Sequence, residues 1–117
     1  MSTVNSISFS DTKLPNVREY SVSRRLSNRA ESEEYSFFLE DLEEITSGEM
    51  FTPSPEVRKL VTNLLGANGI SWMLVRPLKI YVKFQNNADW ENVHQLIIST
   101  IKTQLFGDEY VHVLTAA

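Results

Sequence analysis

Residues 70–84 read Ile-Ser-Trp-Met-Leu-Val-Arg-Pro-Leu-Lys-Ile-Tyr-Val-Lys-Phe, and the period of this stretch decides the fold class. Ile70, Trp72 and Leu74 alternate with Ser71, Met73 and Val75, which predicts a strand apolar on both faces and central in a sheet. Leu78, Ile80, Val82 and Phe84 then alternate with Lys79, Tyr81 and Lys83, the pattern of a half-buried strand with one wet face. Pro77 interrupts the backbone ladder because it has no N–H to donate. The Arg76-Pro77 junction is unsuited to the primed turn that a two-residue hairpin wants, so a bulge and a bend through one long strand both stay open.

Upstream the period changes to that of helices. Ser54, Pro55 and Glu56 form an N-terminal helix signal, and Val57, Leu60, Val61, Leu64 and Leu65 supply a buried stripe that ends in the Gly66–Gly69 stretch. Before it, residues 33–47 read as a further helix. Ser32 stands as its cap, Glu33 and Glu34 complement the helix dipole, Tyr35, Phe38, Leu39, Leu42 and Ile45 fall on one stripe, and Gly48 ends it. Downstream, Asn86-Asn87 signals a turn, with Asn87 as cap of a long helix to about Phe106. Trp90, Val93, Leu96, Ile97, Ile101 and Leu105 form the inner stripe of this helix, and Gly107 closes it. A last strand covers Tyr110 to Leu114. If it shares a sheet with the strand before the helix, the two run parallel. The order is α-α-β-β-α-β, a small single α+β domain over 33–117.

Residues 1–32 read differently. Ser, Asn and Arg dominate, and only Ile7-Ser8-Phe9 and Val17 to Val22 alternate, each a short edge strand at most. The expectation is a polar, mostly flexible arm. The whole chain has 117 residues, 42% of them apolar, which suits one domain with a real core. It contains no cysteine, so disulfides and thiolate metal sites are excluded and a reducing, cytoplasmic compartment is expected. No apolar run approaches the roughly 20 residues of a membrane helix, and residues 1–20 lack a secretory pattern.

Chemistry is sparse. His94 and His112 are the two histidines, and no HExxH pair or glycine-rich phosphate loop accompanies them. No catalytic residue, metal site or cofactor is expected, and a small enzyme using His94 or His112 with the acidic helix is the weakest reading. Eight acids lie between Glu31 and Glu49, with no base between Ala30 and Val57. On a helix, Glu40, Glu43 and Glu44 share an outer face and adjacent Phe37 and Phe38 cannot both point inward. The first functional reading is therefore a non-enzymatic interaction or assembly module docking through helix 33–47. Tyr35 and Phe37 would anchor it and Glu40, Glu43 and Glu44 would steer it, toward a protein partner or a second copy. A self-assembling viral or phage accessory protein belongs to the same class.

The alternative is a single-stranded nucleic-acid binder. Lys79, Tyr81 and Lys83 form a cation–aromatic–cation row that Arg76 and the arginine arm (Arg18, Arg24, Arg25, Arg29) extend. The net charge of −4, from 15 acids against 11 bases, argues against it. Ser27, in Ser23-Arg24-Arg25-Leu26-Ser27, matches the form favoured by basophilic kinases.

Overall fold

The alternation at 79–84 is realised as strand β5 (Lys79–Phe84), paired antiparallel with β4 (Ile70–Val75). The computed structural model describes residues 4–30, 32–85 and 89–115. The two strands meet in a tight two-residue turn at Pro77-Leu78, with Arg76 N–H donating to Lys79 O at 2.8 Å. The turn is not of the primed kind, because Asn16 is the one non-glycine with positive φ among the described residues. Proline suits the first central position of an unprimed turn. Tertiary bonds hold the turn as well: Val22 N–H donates to Leu78 O and Leu26 N–H to Pro77 O, at 3.0 and 2.7 Å.

Those bonds come from the segment expected to be a flexible arm, and that expectation fails. Strands β1 (Ser6–Asp11) and β2 (Val17–Val22) are interior members of a six-stranded sheet. Its order is β3-β4-β5-β2-β1-β6. β2 is hydrogen-bonded between β5 and β1, and β1 lies between β2 and β6 (His112–Thr115). Leu26, beyond β2, is buried as well. The segment looks polar because one face of the sheet carries no helix, so Ser6, Ser8, Ser10 and Ser21 occupy positions where a polar side chain costs nothing.

The second correction concerns residues 33–47. Tyr35–Phe38 is strand β3, antiparallel to β4 with Phe37 opposite Met73, and a 3₁₀ turn (Leu39–Asp41) leads into a short helix α1 (Leu42–Ser47). Three aromatics in four residues favour a pleated edge over a helix. The two phenylalanines therefore exchange the roles expected on a helix: Phe37 is 1% exposed and Phe38 is 47% exposed. Gly48, at φ 89°, closes α1 as its position predicts.

From Pro55 onward the expected order holds. Helix α2 (Pro55–Leu64) is capped by Ser54, whose Oγ accepts from Val57 N–H at 3.1 Å. Helix α3 (Trp90–Ile101) continues through a π-helical turn to Phe106. Its cap is Asp89, whose carboxylate accepts from Glu91 and Asn92 N–H; the expected Asn86-Asn87 turn and cap lie outside the described residues. β6 runs parallel to β1, and through β1 and β2 it has the direction of β5, as the strand–helix–strand spacing required.

The result is an α+β domain with two layers. Ile7, Tyr20, Val22, Phe37, Met73, Val75, Ile80, Val82 and Phe84 bury one sheet face against Ile45, Val57, Leu60, Val61, Leu64, Val93, Ile97 and Ile101. Each large apolar side chain so buried stabilises by roughly 1.5–3 kcal/mol. The swapped phenylalanines make a direct test of the strand at 35–38. Phe37→Ala should cost about 3–5 kcal/mol in urea unfolding, and Phe38→Ala about 1 kcal/mol or less. A helix at 35–38 would equalise or reverse the two.

Candidate functional site

The helix-free face of the sheet carries exposed Phe38, half-buried Trp72 and Tyr81, and the cations Lys79 and Lys83. Because side chains alternate along each strand, every odd residue of β5 (Lys79, Tyr81, Lys83) points away from the helices, and cross-strand register fixes its neighbours. One row across the strands is Phe38, Trp72, Lys83 and Val17; the next is Ser36, Leu74, Tyr81, Glu19 and Ser10. The large apolar and aromatic side chains Phe38, Trp72, Leu74 and Tyr81 thus lie on β3, β4 and β5, whereas β1 presents Ser6, Ser8 and Ser10 and β2 presents Val17, Glu19 and Ser21.

At one end of the aromatic half the loop between β1 and β2 rises beside the sheet. Thr12 shapes it, its Oγ1 accepting from Leu14 N–H at 3.2 Å, and Asn16 at φ 62° turns the chain into β2. Asn16 O accepts from Phe84 N–H at 2.8 Å, pinning the loop to β5. Between this loop and β3 lies an open groove of about 750 Å³, lined by Leu14, Pro15, Val17, Phe38, Trp72 and Lys83, with Glu40 at its rim. Leu14 and Phe38 are exposed apolar side chains there.

Electrostatics separate the cations of this face. Lys79 Nζ lies 3.0 Å from Glu19, whose hydrogen bond and then whose charge raise the lysine pKa above its usual value. Arg76 lies 3.9 Å from Glu34. Such exposed pairs contribute little stability, but they already neutralise two of the three cations. Lys83 has no carboxylate within ion-pair distance among the described residues and sits directly across from Trp72.

Of the residues expected to bind a partner, Tyr35 and Phe37 face the helices. Tyr35 donates its hydroxyl to Glu33 at 2.8 Å, and Phe37 is core. Glu43 and Glu44 lie exposed on α1, and Glu40 alone reaches the groove. The acidic docking helix is therefore not formed. Lys79, Tyr81 and Lys83 do share a face, as expected, and Arg76 stands at its margin. Phe38, Trp72 and Leu14 were missed. For Trp72 the signal was present, since the phase that places Met73 with Ile80 in the core must place Trp72 with Lys83 outside. Ser27 is 8% exposed and its carbonyl accepts from Arg25 Nε at 3.1 Å, so the folded chain does not present it to a kinase.

The histidines divide. His112 is exposed beside Tyr110. His94 ties α3 to the sheet: its Nδ1 is 3.0 Å from Tyr20 Oη and 3.3 Å from an Arg18 guanidinium nitrogen. Arginine can only donate, so Nδ1 accepts and the proton sits on Nε2. Arg18 is held in turn by Asp11 at 3.1 Å and by the faces of Phe9 and Trp90. Burial pushes the Tyr20 hydroxyl up to about 12, and burial followed by the Arg18 charge lowers the His94 pKa. This is a polar seam in which Tyr20 and Arg18 share His94 Nδ1 as acceptor; it aims no nucleophile at a cavity among the described residues.

No protein-family model matches the chain, and no curated protein matches it. In structure it is similar to protein SAV1430 from Staphylococcus aureus, a crystal structure, with a TM-score of 0.58 and 18% identity over 82% of this chain and 98% of that one. At that identity the likeness shows the fold alone.

The seam carries a pH dependence. A lowered His94 pKa means that the unfolded chain binds the proton more readily, so its stabilising contribution is full above about pH 6.5 and is lost progressively from there as pH falls through the lower folded-state pKa. Urea midpoints measured at pH 7.5 and 5.5 should fall on acidification, and the fall should be smaller in His94→Gln. An equal fall in both proteins would show that the seam is not responsible.

Proposed function

We propose that this chain is a non-enzymatic protein-interaction module that docks a partner on the open face of its sheet, in the groove between the β1–β2 loop and β3. The observation that supports it most is the grouping of Phe38, Trp72 and Leu14, three large apolar side chains at a groove, with Lys83 as the cation beside them. Aromatic anchors flanked by a polar rim are the usual composition of interaction hot spots. A one-sided sheet leaves Leu14 and Phe38 exposed and Trp72 half-buried, at a cost that a partner relieves. The cysteine-free composition fits a cytoplasmic setting. Docking through the acidic segment is set aside, because its intended anchor is in the core.

A second reading has one observation in its favour. Tyr81, Trp72 and Phe38 share a face with Lys79 and Lys83, and rings beside cations are how open sheets hold single-stranded nucleic acid. Against it stand the net negative charge and the carboxylates beside Arg76 and Lys79.

Selection of displayed protein fragments on the wild-type chain distinguishes the two readings. Selected fragments should bind the Phe38→Ser/Lys83→Glu double variant about tenfold or more weakly, with its circular dichroism spectrum unchanged. Fragments that bind both proteins equally would move the function away from this face. A single-stranded DNA or RNA titration whose affinity falls steeply with salt would decide for nucleic acid instead.

A further inference from the structure

The sheet has two edges, and they are built differently. β3 is flanked by Glu33 and Glu34 on one side and Glu40 and Asp41 on the other. Antiparallel pairing of this edge with its own copy would set acids opposite acids, which opposes it. β6 carries no such block. Residues 110–115 read Tyr-Val-His-Val-Leu-Thr, without lysine, arginine, acid or proline. Natural edges are commonly protected by just those residues. All four side chains of β6 are exposed, with Val113 at 44% and Leu114 at 52%. Val113 lies on the helix side beside Ile7, so the helix layer stops short of this strand.

The backbone of β6 is equally available. His112 N–H donates to Asn5 O at 2.9 Å, and the strand runs parallel to β1 from Ser6↔His112 to Phe9↔Thr115. Alternate residues of a strand turn their N–H and C=O groups to the same side. His112 and Leu114 therefore bond toward β1, and Val113 and Thr115 present theirs outward.

We infer that the β6 edge pairs with the β6 edge of a second copy, antiparallel and centred on Val113. In that register Val113 meets its own counterpart, Leu114 meets the counterpart of His112, and Thr115 that of Val111. The pairs are apolar or neutral, and the nearest acid, Glu109, lies four residues from the centre. Opposed residues of an antiparallel pair point to the same side of a sheet, so the two-fold axis stands perpendicular to it. Both open faces then lie on one side of a continuous doubled sheet, with both helix layers on the other. No residue that lines the groove belongs to β6, so pairing leaves it accessible and makes the assembly bivalent.

A four-residue edge buries little surface, so the dimer is expected to dissociate at about 10–100 µM. Sedimentation equilibrium of the full chain from about 5 µM to 1 mM spans that range. The wild type should pass from monomer to dimer, and the Phe38→Ser/Lys83→Glu variant should do the same, since the groove is not part of this contact. Val113→Pro removes an outward donor while sparing the bonds to β1, and should remain monomeric. A proline that unseats the strand would mimic that result, so the register is read separately in the cysteine-free chain. Val113→Cys should cross-link to its counterpart under mild oxidation, and Leu114→Cys far less. A wild type monomeric throughout, a dimeric Val113→Pro, or cross-linking that fails to favour position 113 would each overturn the proposal.

Discussion

The antiparallel pairing of β2 with β5 is the joint on which the rest of the structure hangs. It joins residues about sixty positions apart in sequence, Val17 with Lys83 and Ser21 with Lys79. Without it the chain would be two small sheets, β1–β2–β6 and β3–β4–β5, each too narrow to support the helix layer. Closing so long a loop costs entropy that grows only slowly with its length, and burial of Tyr20, Ile80 and Val82 on the shared face offsets it. The same joint sets the turn at Pro77-Leu78, because the strand end and following loop of the N-terminal segment donate to both of its carbonyls. A turn of the unprimed kind, for which proline is suited but which hairpins seldom use, is thus held by a neighbour that supplies donors from outside.

How much of this was legible depended on whether a segment's period was determined locally. α2 was readable to the residue, since Ser54, Pro55 and the stripe from Val57 to Leu64 all act within one element. β4, β5 and α3 were readable for the same reason. Residues 35–38 were not. Tyr-Ser-Phe-Phe followed by Leu39 and Leu42 satisfies a helical stripe as well as a strand, and the choice is made by β4, which offers Met73 and Val75 as partners. β1 and β2 failed in another way. Their open-face positions hold Ser6, Ser8 and Ser10 in β1 and Glu19 and Ser21 beside Val17 in β2, which dilutes the apolar density that marks a core strand, so interior members of the sheet looked like a flexible arm. The candidate site shared both faults: the cations of β5 were visible in the alternation, whereas Phe38 and Leu14 depend on tertiary placement.

The one-sided helix layer explains why the exposed chemistry collects where it does. Helices α2 and α3 cover the face that carries Ile80 and Val82, so the odd residues of β5 and their neighbours are left to water. On the β1–β2 half that face is mostly polar, with Ser6, Ser8, Ser10, Glu19 and Ser21. On the β3–β4 half it is not, since Trp72, Leu74 and Phe38 keep large apolar surfaces beside the solvent. The contrast lies within a single sheet under one packing constraint, so burial alone does not account for it. Serine or threonine at 38 and 72 would satisfy the same positions in an unpartnered face.

The same reasoning separates the groove from the β6 edge. The groove offers side chains over strands whose backbone is paired within the sheet except along the β3 edge, so the proposed recognition there would rest mainly on shape and apolar contact, with Lys83 adding direction. The edge offers the reverse: N–H and C=O groups on Val113 and Thr115 that meet no strand among the described residues, with modest side chains. A partner for the first needs a complementary surface, whereas a partner for the second needs only an unblocked strand, which every copy of this chain carries. The two demands do not compete for any residue, because no side chain lining the groove belongs to β6. Occupancy of one surface therefore leaves the other chemically unchanged, and any coupling between them can arise only through the rigid sheet they share.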